Sequence, residues 1–577
     1  MKVELLTNKR YNWNTMKNIK LKLCLFIIII ALLITATGCN LIKTKNNTTT
    51  QINKKQKIAK LLKNSKFYYL DEKEKLTPYY ETAEQKKQEI LNSPTEIVKS
   101  DKFIAGKTYT GTAYYISAKG ADFNNGLTPE TPIKTIKQLN RTNLKKGDAV
   151  FFERGYIYRT PKEALIVQPY ITYSAYGQGE KPILTRVAEN SARTEYWQLY
   201  YEGKNGEKIW KYYKKIGDVA GIVFDDETYA TRVLEWPTKK GWLALNLKKM
   251  EPHKGIRAQG DATTNIQVQS ANEYKTIEQA LNTDLTYISR INIEKLKYPF
   301  EIFKDCKKGE LYLRYDKGNP AEYFSDIEII SFERENKKDM DGRIFDSTKA
   351  DNYTIDNLAI KYFTINAKTG NIVKNNNVII QNSTIKWGGG SLYKITSDKP
   401  TNNFLLLGDG IYLIGRNTIF KNNYISQCGN ALVLEDFKEG KTDMGTFSIE
   451  DNVIENCGQG LRLGLQRKIR KNSFDRITIK NNIILNSGDS MNNACFEEPV
   501  AIDMGWTPIQ YAKHFDISNN IMIGSTMALM RIPASSSVKM NINNNVFVQE
   551  KNGILLTEME WNKDSVTWYM MKDAKNN

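Results

Sequence analysis

A short phrase repeated seven times constrains this chain more than any other feature. It reads apolar-x-apolar-x-Asn-(Asn)-x-apolar, in Tyr353–Ile360, Val378–Ile385, Thr418–Ile425, Phe447–Ile454, Ile477–Ile484, Phe515–Met522 and Met540–Phe547. One column carries Asn357, Asn382, Asn422, Asp451, Asn481, Asn519 and Asn544. The starts advance by 25, 40, 29, 30, 38 and 25 residues. A fixed strand phrase with a minimum spacing and variable excess is the mark of a β-solenoid, in which each copy is one coil and the excess forms loops. Asn suits tight turns and its amides can bond from coil to coil, so this column is expected to turn inward at a bend.

The amino terminus reads differently. Leu23–Ile34 is an apolar run of 12 residues, short of the ~20 that span a bilayer as a helix. It follows Lys17, Lys20 and Lys22 and leads into Ala36-Thr37-Gly38-Cys39. A basic start, a short apolar run and small residues form a secretory signal, opened by Met16. Its end resembles a bacterial lipobox, which implies cleavage before Cys39, lipidation of Cys39 and a membrane-anchored, extracytoplasmic protein. Residues 40–64 are rich in Asn, Thr and Lys and read as a tether; a charged helical stretch follows to about residue 100. That stretch is expected either to pack on the end of the solenoid or to form a stalk.

The net charge of +19 suits an acidic partner such as a uronate polysaccharide, teichoic acid or anionic lipid. Nucleic acid is a poor match for an exported chain. With only two histidines, His253 and His514, a His-rich zinc site and a Ser-His-Asp triad are disfavoured. Cys428 and Cys457 share one repeat column, each followed by Gly. Coils about 4.8 Å apart would permit a disulfide there; a stacked, inward ladder of thiols is the preferred reading.

A second signature runs through residues 113–159. Tyr114–Gly120 is a strand entering a turn, Asp122–Gly126 and Thr128–Pro132 carry turn chemistry, Ile133–Leu139 is a short helix, and Lys146-Gly147-Asp148 leads into the strand Ala149–Phe152. This order resembles the first coils of bacterial right-handed parallel β-helix proteins of the pectate-lyase-like type. The resemblance runs over about 113–188 and resumes at about 309–550, where Gly309–Arg314, Gly318–Glu322, Trp387–Ser391 and Gly408–Tyr412 have counterparts. It implies an all-β, single-stranded solenoid and a polysaccharide-processing role, as a lyase or a glycoside hydrolase. The chain departs from the family pattern at Gly408-Asp409-Gly410, where relatives carry Gly-Asn-Gly. Residues 189–308 do not repeat and alternate in short aromatic-rich runs, so they read as a β-rich insertion. The expected organisation is a signal peptide (1–39), tether and helical segment (40–110), first coils (111–188), insertion (189–308), main helix (309–560) and tail (561–577).

A second strand follows in each coil: Gly410–Ile414, Ala431–Glu435, Gly460–Gly464 and Pro499–Asp503. Aligning Ile411, Leu432, Leu461 and Val500 inward sets Ile414, Glu435, Gly464 and Asp503 in one outward column, with Arg462 two residues away. Glu435 and Asp503 would then stand two coils apart, with space over Gly464, and Asp409 and Asp436 would flank them. In a hydrolase, one of the two acids protonates the leaving oxygen and the other activates water, which calls for carboxyls about 6.5–9.5 Å apart when the anomeric centre inverts. In a lyase, carboxylates such as Asp409 and Asp436 hold Ca²⁺ on the uronate, while Arg462 or Lys386 neutralises charge or removes the proton at C5. Trp387, Tyr412 and Lys386 are the expected substrate-binding residues. The chain is expected to be monomeric, and the competing reading is a non-catalytic lipoprotein that binds glycan, cell wall or host matrix along the helix face.

Overall fold

A computed structural model describes residues 56–238, 241–246, 296, 298–305, 308–332, 342–347, 350–364, 376–389, 391–395, 404–413, 416–434, 445–463, 474–491, 499–504, 512–533, 539–560 and 565–575. Of one compact unit only residues 56–60 are described, and they are helical; the second unit is Leu61–Asn576. Cys39, the apolar run before it, Glu435 and Asp436 lie outside the described residues. No described helix is long and apolar enough to cross a membrane.

The second unit is a right-handed parallel β-helix with an antiparallel insertion. Among the described residues its first sheet has eleven strands and its second has ten, all in parallel pairs, and after the opening pair Ala113–Ile116 and Ala149–Glu153 the strands of these two sheets alternate along the chain. The repeat phrase straddles the bend between them. In one coil, Thr446–Glu450 lies in the first sheet and Val453–Glu455 in the second, and both pair with the matching segments of the next coil, Phe474–Lys480 and Ile483–Ser487. A third sheet of seven strands collects the later part of each coil, from Ile411–Leu413 to Ser565–Met570, and only its last pair is antiparallel.

The bend explains the asparagines, with one correction. Asn357, Asn382, Asn422, Asp451, Asn481, Asn519 and Asn544 all adopt a left-handed backbone, with φ between 52° and 59°. Short polar side chains tolerate this conformation better than others do. Apart from Asn357, however, these residues are partly or fully exposed. The residue after each one turns inward instead. Asn423, Asn452, Asn482, Asn520 and Asn545 are fully buried. The Oδ1 of Asn482 accepts from the backbone N–H of Asn452 at 3.1 Å and its Nδ2 at 2.8 Å, while the Nδ2 of Asn482 donates to Ile449 O at 2.8 Å and to Asn520 Oδ1 at 3.0 Å. The ladder leaves these buried amides satisfied, as burial demands. Cys428 and Cys457 are buried free thiols, and burial raises the pKa of Cys428 well above its ordinary value.

The amino-terminal segment closes the far end of the solenoid. Leu62–Lys63 and Lys66–Tyr69 pair in parallel with the last coil, at Ile542–Asn543 and Val546–Gln549. An edge that would template aggregation is thereby covered. Helix Lys73–Leu91 then packs on the second sheet, burying Leu76, Ala83 and Ile90 against Tyr424, Val453, Ile483 and Ile523. Seven-residue spacing keeps those three side chains near one face, and Lys87 adds an ion pair to Glu455 at 3.2 Å.

The insertion is an eight-stranded, largely antiparallel sheet with its own core around Trp197, Trp210, Tyr212, Phe224 and Leu313. The aromatics of this segment therefore largely fill its interior. The sheet extends beyond residue 308, taking in Glu310–Arg314 and Ile327–Phe332.

Candidate active site

The insertion meets the solenoid at a strip on the second sheet. Strand pairing places Arg159, Thr185, Lys361 and Lys386 in one column, one coil apart. Three cations on one strip require counter-charge, and the insertion supplies it. Glu328, fully buried, accepts both terminal nitrogens of Arg159, at 2.6 and 2.8 Å. Asp226 comes from the turn between Asp218–Phe224 and Thr228–Thr238. Its Oδ2 accepts Lys361 Nζ at 2.9 Å and Lys386 Nζ at 3.1 Å. Its Oδ1 accepts the Tyr362 hydroxyl at 2.9 Å and Trp387 Nε1 at 2.6 Å. Asp225 and Asp226 both have left-handed backbones, and Asp225 Oδ1 ties the turn to the N–H groups of Ser325 and Asp326.

Electrostatics divides the carboxyl groups. Burial pushes the pKa of Asp226 up, but the charges of Lys361 and Lys386 outweigh it and hold the group below its usual range. Asp326 goes the other way: burial first, then the Glu328 carboxylate, with Asp226 adding to it, raise its pKa to about 7 against the pull of Arg159. Burial, aided by Lys361, lowers the pKa of Lys386 despite the opposing pull of Asp226. Carboxyl groups driven to opposite protonation states beside each other are the arrangement that acid–base chemistry on sugars requires.

The backbone is strained at the same place. Tyr362 and Trp387 are left-handed, at φ 54° and 61°. Bulky residues there are outliers, at about 1–3 kcal/mol each. Both side chains end on Asp226, and both are buried with Ala220, Val223, Ile330 and Met491. The Tyr229 ring lies 5.7 Å from that of Trp387.

Two of the residues expected to contact substrate, Lys386 and Trp387, therefore come together, but around Asp226. The third, Tyr412, stands apart on the third sheet, buried and paired with Val433. The column expected to unite Glu435 and Asp503 is corrected. Leu461 pairs with Ile502 rather than Val500, so Asp503 stands directly beside Arg462 in the next coil. A slip of two residues preserves which face each side chain takes, so alternation alone could not reveal it. Asp503 is buried with Arg531, 3.3 Å away, and accepts Gln459 Nε2 at 2.8 Å. Asp409 accepts Asn430 Nδ2 at 2.6 Å. Among the described residues no three His, Cys, Asp or Glu side chains are grouped to hold a metal.

Asp226, Asp326 and Glu328 escaped the sequence reading because they lie in or beside a segment without a repeat. The acidic pair Asp225-Asp226 was the local signal. The repeat alignment itself sets Lys361 beside Lys386.

No family model matches the chain, and no curated protein matches its sequence. Solved structures do resemble it. XylC in complex with xylose aligns with a TM-score of 0.36 at 14% identity, covering 80% of this chain and 73% of that one. A rhamnogalacturonan lyase aligns at 0.30 and 9% identity, covering 75% and 87%. A family 28 exopolygalacturonase from Yersinia enterocolitica aligns at 0.24 and 11% identity, covering 78% and 79%. At these values the likeness is one of overall architecture, which the strand pairing establishes independently.

Proposed function

We propose that this protein is a surface-anchored polysaccharide-processing enzyme, and that it works where the insertion meets the second sheet. The observation that carries this reading is the junction around Asp226: an ionised carboxylate on two lysines, a neighbouring acid held protonated near neutral pH, and two strained aromatics. In this reading Asp326 donates its proton to the leaving glycosidic oxygen. Asp226, with all four hydrogen bonds in place, is a weak base and serves by stabilising positive charge that develops at the sugar ring. Tyr229, partly exposed and packed on the buried Trp387, offers a ring face to the sugar. The lipid on Cys39 would hold the enzyme at the membrane, with the tether giving reach.

β-Elimination is the second reading, favoured by the lowered pKa of Lys386. Burial, which lowers that pKa, favours the neutral amine that would take the proton at C5 of a uronate. The catalytic roles first given to Glu435, Asp503 and Arg462 would move to Asp326, Asp226 and Lys386. One experiment separates these readings. The protein is incubated with acidic and neutral polysaccharides, with Ca²⁺ and with EDTA, while unsaturated uronates and new reducing ends are followed. Reducing ends without unsaturation, lost in Asp326→Asn, support hydrolysis. Unsaturated product overturns it in favour of the lyase. Silence across the panel with retention on one glycan leaves a binding protein.

A further inference from the structure

A cavity of about 560 Å³ lies over the first coils of the first sheet, away from the Asp226 strip. Aromatic side chains of successive coils form much of its wall. Tyr115 and Phe151 are partners one coil apart, with rings 5.9 Å apart and stacked. Tyr176 meets Tyr115 edge-on at 5.0 Å, and Tyr109 meets Phe151 edge-on at 5.5 Å. Gly177 and Gly179, both at positive φ, keep side chains out of the space beside Tyr176.

The opposite wall is the strap that leaves the long helix, and three side chains fix it. Arg154 donates to Ser93 O at 2.9 Å. Lys181 donates to Ser93 Oγ at 2.8 Å. Asn357 Nδ2 donates to Ser93 O at 3.0 Å and Pro94 O at 2.6 Å. Val98–Lys99 then pairs with Thr108–Tyr109. The cavity is thus preformed, within the range of about 300–1,000 Å³ usual for ligand sites. No Asp or Glu lines it, whereas Lys99 and Arg154 do. The ring of Tyr176 lines it beside that of Tyr115.

We propose that this cavity is a second glycan site, which holds a short stretch of a neutral or acidic sugar chain against Tyr115 and Tyr176. Flat aromatic faces meet the C–H faces of pyranose rings, and Lys99 and the backbone of the glycine turn meet their hydroxyls. A chain held here stays attached while another segment occupies the Asp226 strip, which raises the effective concentration there. The proposal rests on the reading of the protein as a polysaccharide handler.

The test is titration calorimetry of the full chain with xylohexaose, cellohexaose and hexagalacturonate. Saturable binding of at least one is expected, weakened about tenfold in Tyr176→Ala through loss of one ring from the wall. Tyr115→Ala should weaken it further, with circular dichroism reporting whether the fold survives in each variant. Turnover of a short substrate should be unchanged in Tyr176→Ala. Absence of saturable binding, or binding indifferent to Tyr176→Ala, overturns the second site. If turnover persists in that case, the proposed function stands without it. If binding obeys the prediction and no polysaccharide is processed, the catalytic reading falls and the glycan site remains.

Discussion

One turn of the coil is built in two ways. At the end of the second-sheet strands, Gln427, Asn456, Asn486 and Gly524 fill a left-handed position in the later coils. The two asparagines and the glycine accept that backbone at modest cost, and Asn486 Nδ2 donates to Asn456 Oδ1 at 3.1 Å, from coil to coil. In the two coils under the insertion, the same position holds Tyr362 and Trp387. There the left-handed conformation is costly, and it persists because Asp226 holds both side chains. The regular coils thus show what the fold prefers, and the junction shows where that preference was set aside for a long-range contact. Strain that the surroundings over-determine is typical of sites that work.

The comparison can be broken most severely at the junction. Asp326→Asn should lower turnover by about 10²–10⁴-fold, the usual worth of a general acid, read as release of reducing ends. Wild-type activity should fall as pH rises through about 7, because Asp326 must be protonated to act. The stability consequence has the same sense. With the folded pKa raised above the ordinary value near 4, the group's stabilising contribution is complete below that value and is lost as pH rises through about 7. Asp326→Asn should therefore melt above the wild type at pH 8 and approach it at pH 4; equal melting at both would refute the assigned shift.

In the regular coils the largest effect should come from the inward ladder. Asn482→Ala strands both donors of Asn452 along with the carbonyl of Ile449, at about 3 kcal/mol by the usual penalty for buried unpaired groups. Denaturant titration measures it. Transplanting the junction's choice should be intermediate: Asn456→Trp places a bulky left-handed residue where no Asp226 waits, at about 1–3 kcal/mol. An unchanged midpoint would show that the strain at Trp387 is illusory. The outer turn column should matter least. Asn481→Ala should cost about 1 kcal/mol, and Asn481→Gly only a few tenths, because glycine takes the left-handed backbone freely.

Much of the solenoid was legible because each coil contacts chiefly its neighbours, so one phrase repeated seven times carries its own register. The left-handed bends followed from Asn chemistry. Which of two adjacent asparagines points inward did not, because turn propensity does not fix direction. The third sheet was harder to read, since its strands lie beyond loops of unequal length, and a two-residue slip there moved Asp503 from the expected column to the side of Arg462. The thiol ladder at Cys428 and Cys457 was readable from their shared column, which also sets their spacing.

The amino-terminal segment was read as a tether to residue 64 and as helical beyond it; the helix Lys73–Leu91 formed, whereas Leu62–Lys63 and Lys66–Tyr69 are strands. Its pairing with the last coil spans 480 residues between Ser65 and Asn545, and no local pattern announces such a contact. The same limit governs the candidate site. Sequence determined the coils, their bends and the column that sets Lys361 beside Lys386. Only the tertiary structure decided that Asp226, 135 residues from Lys361 and 160 from Lys386, would land between them. Periodicity encodes what neighbouring coils do to each other. The landing point of a non-repeating insertion depends on its own folded core and on charges that meet only after both parts have formed.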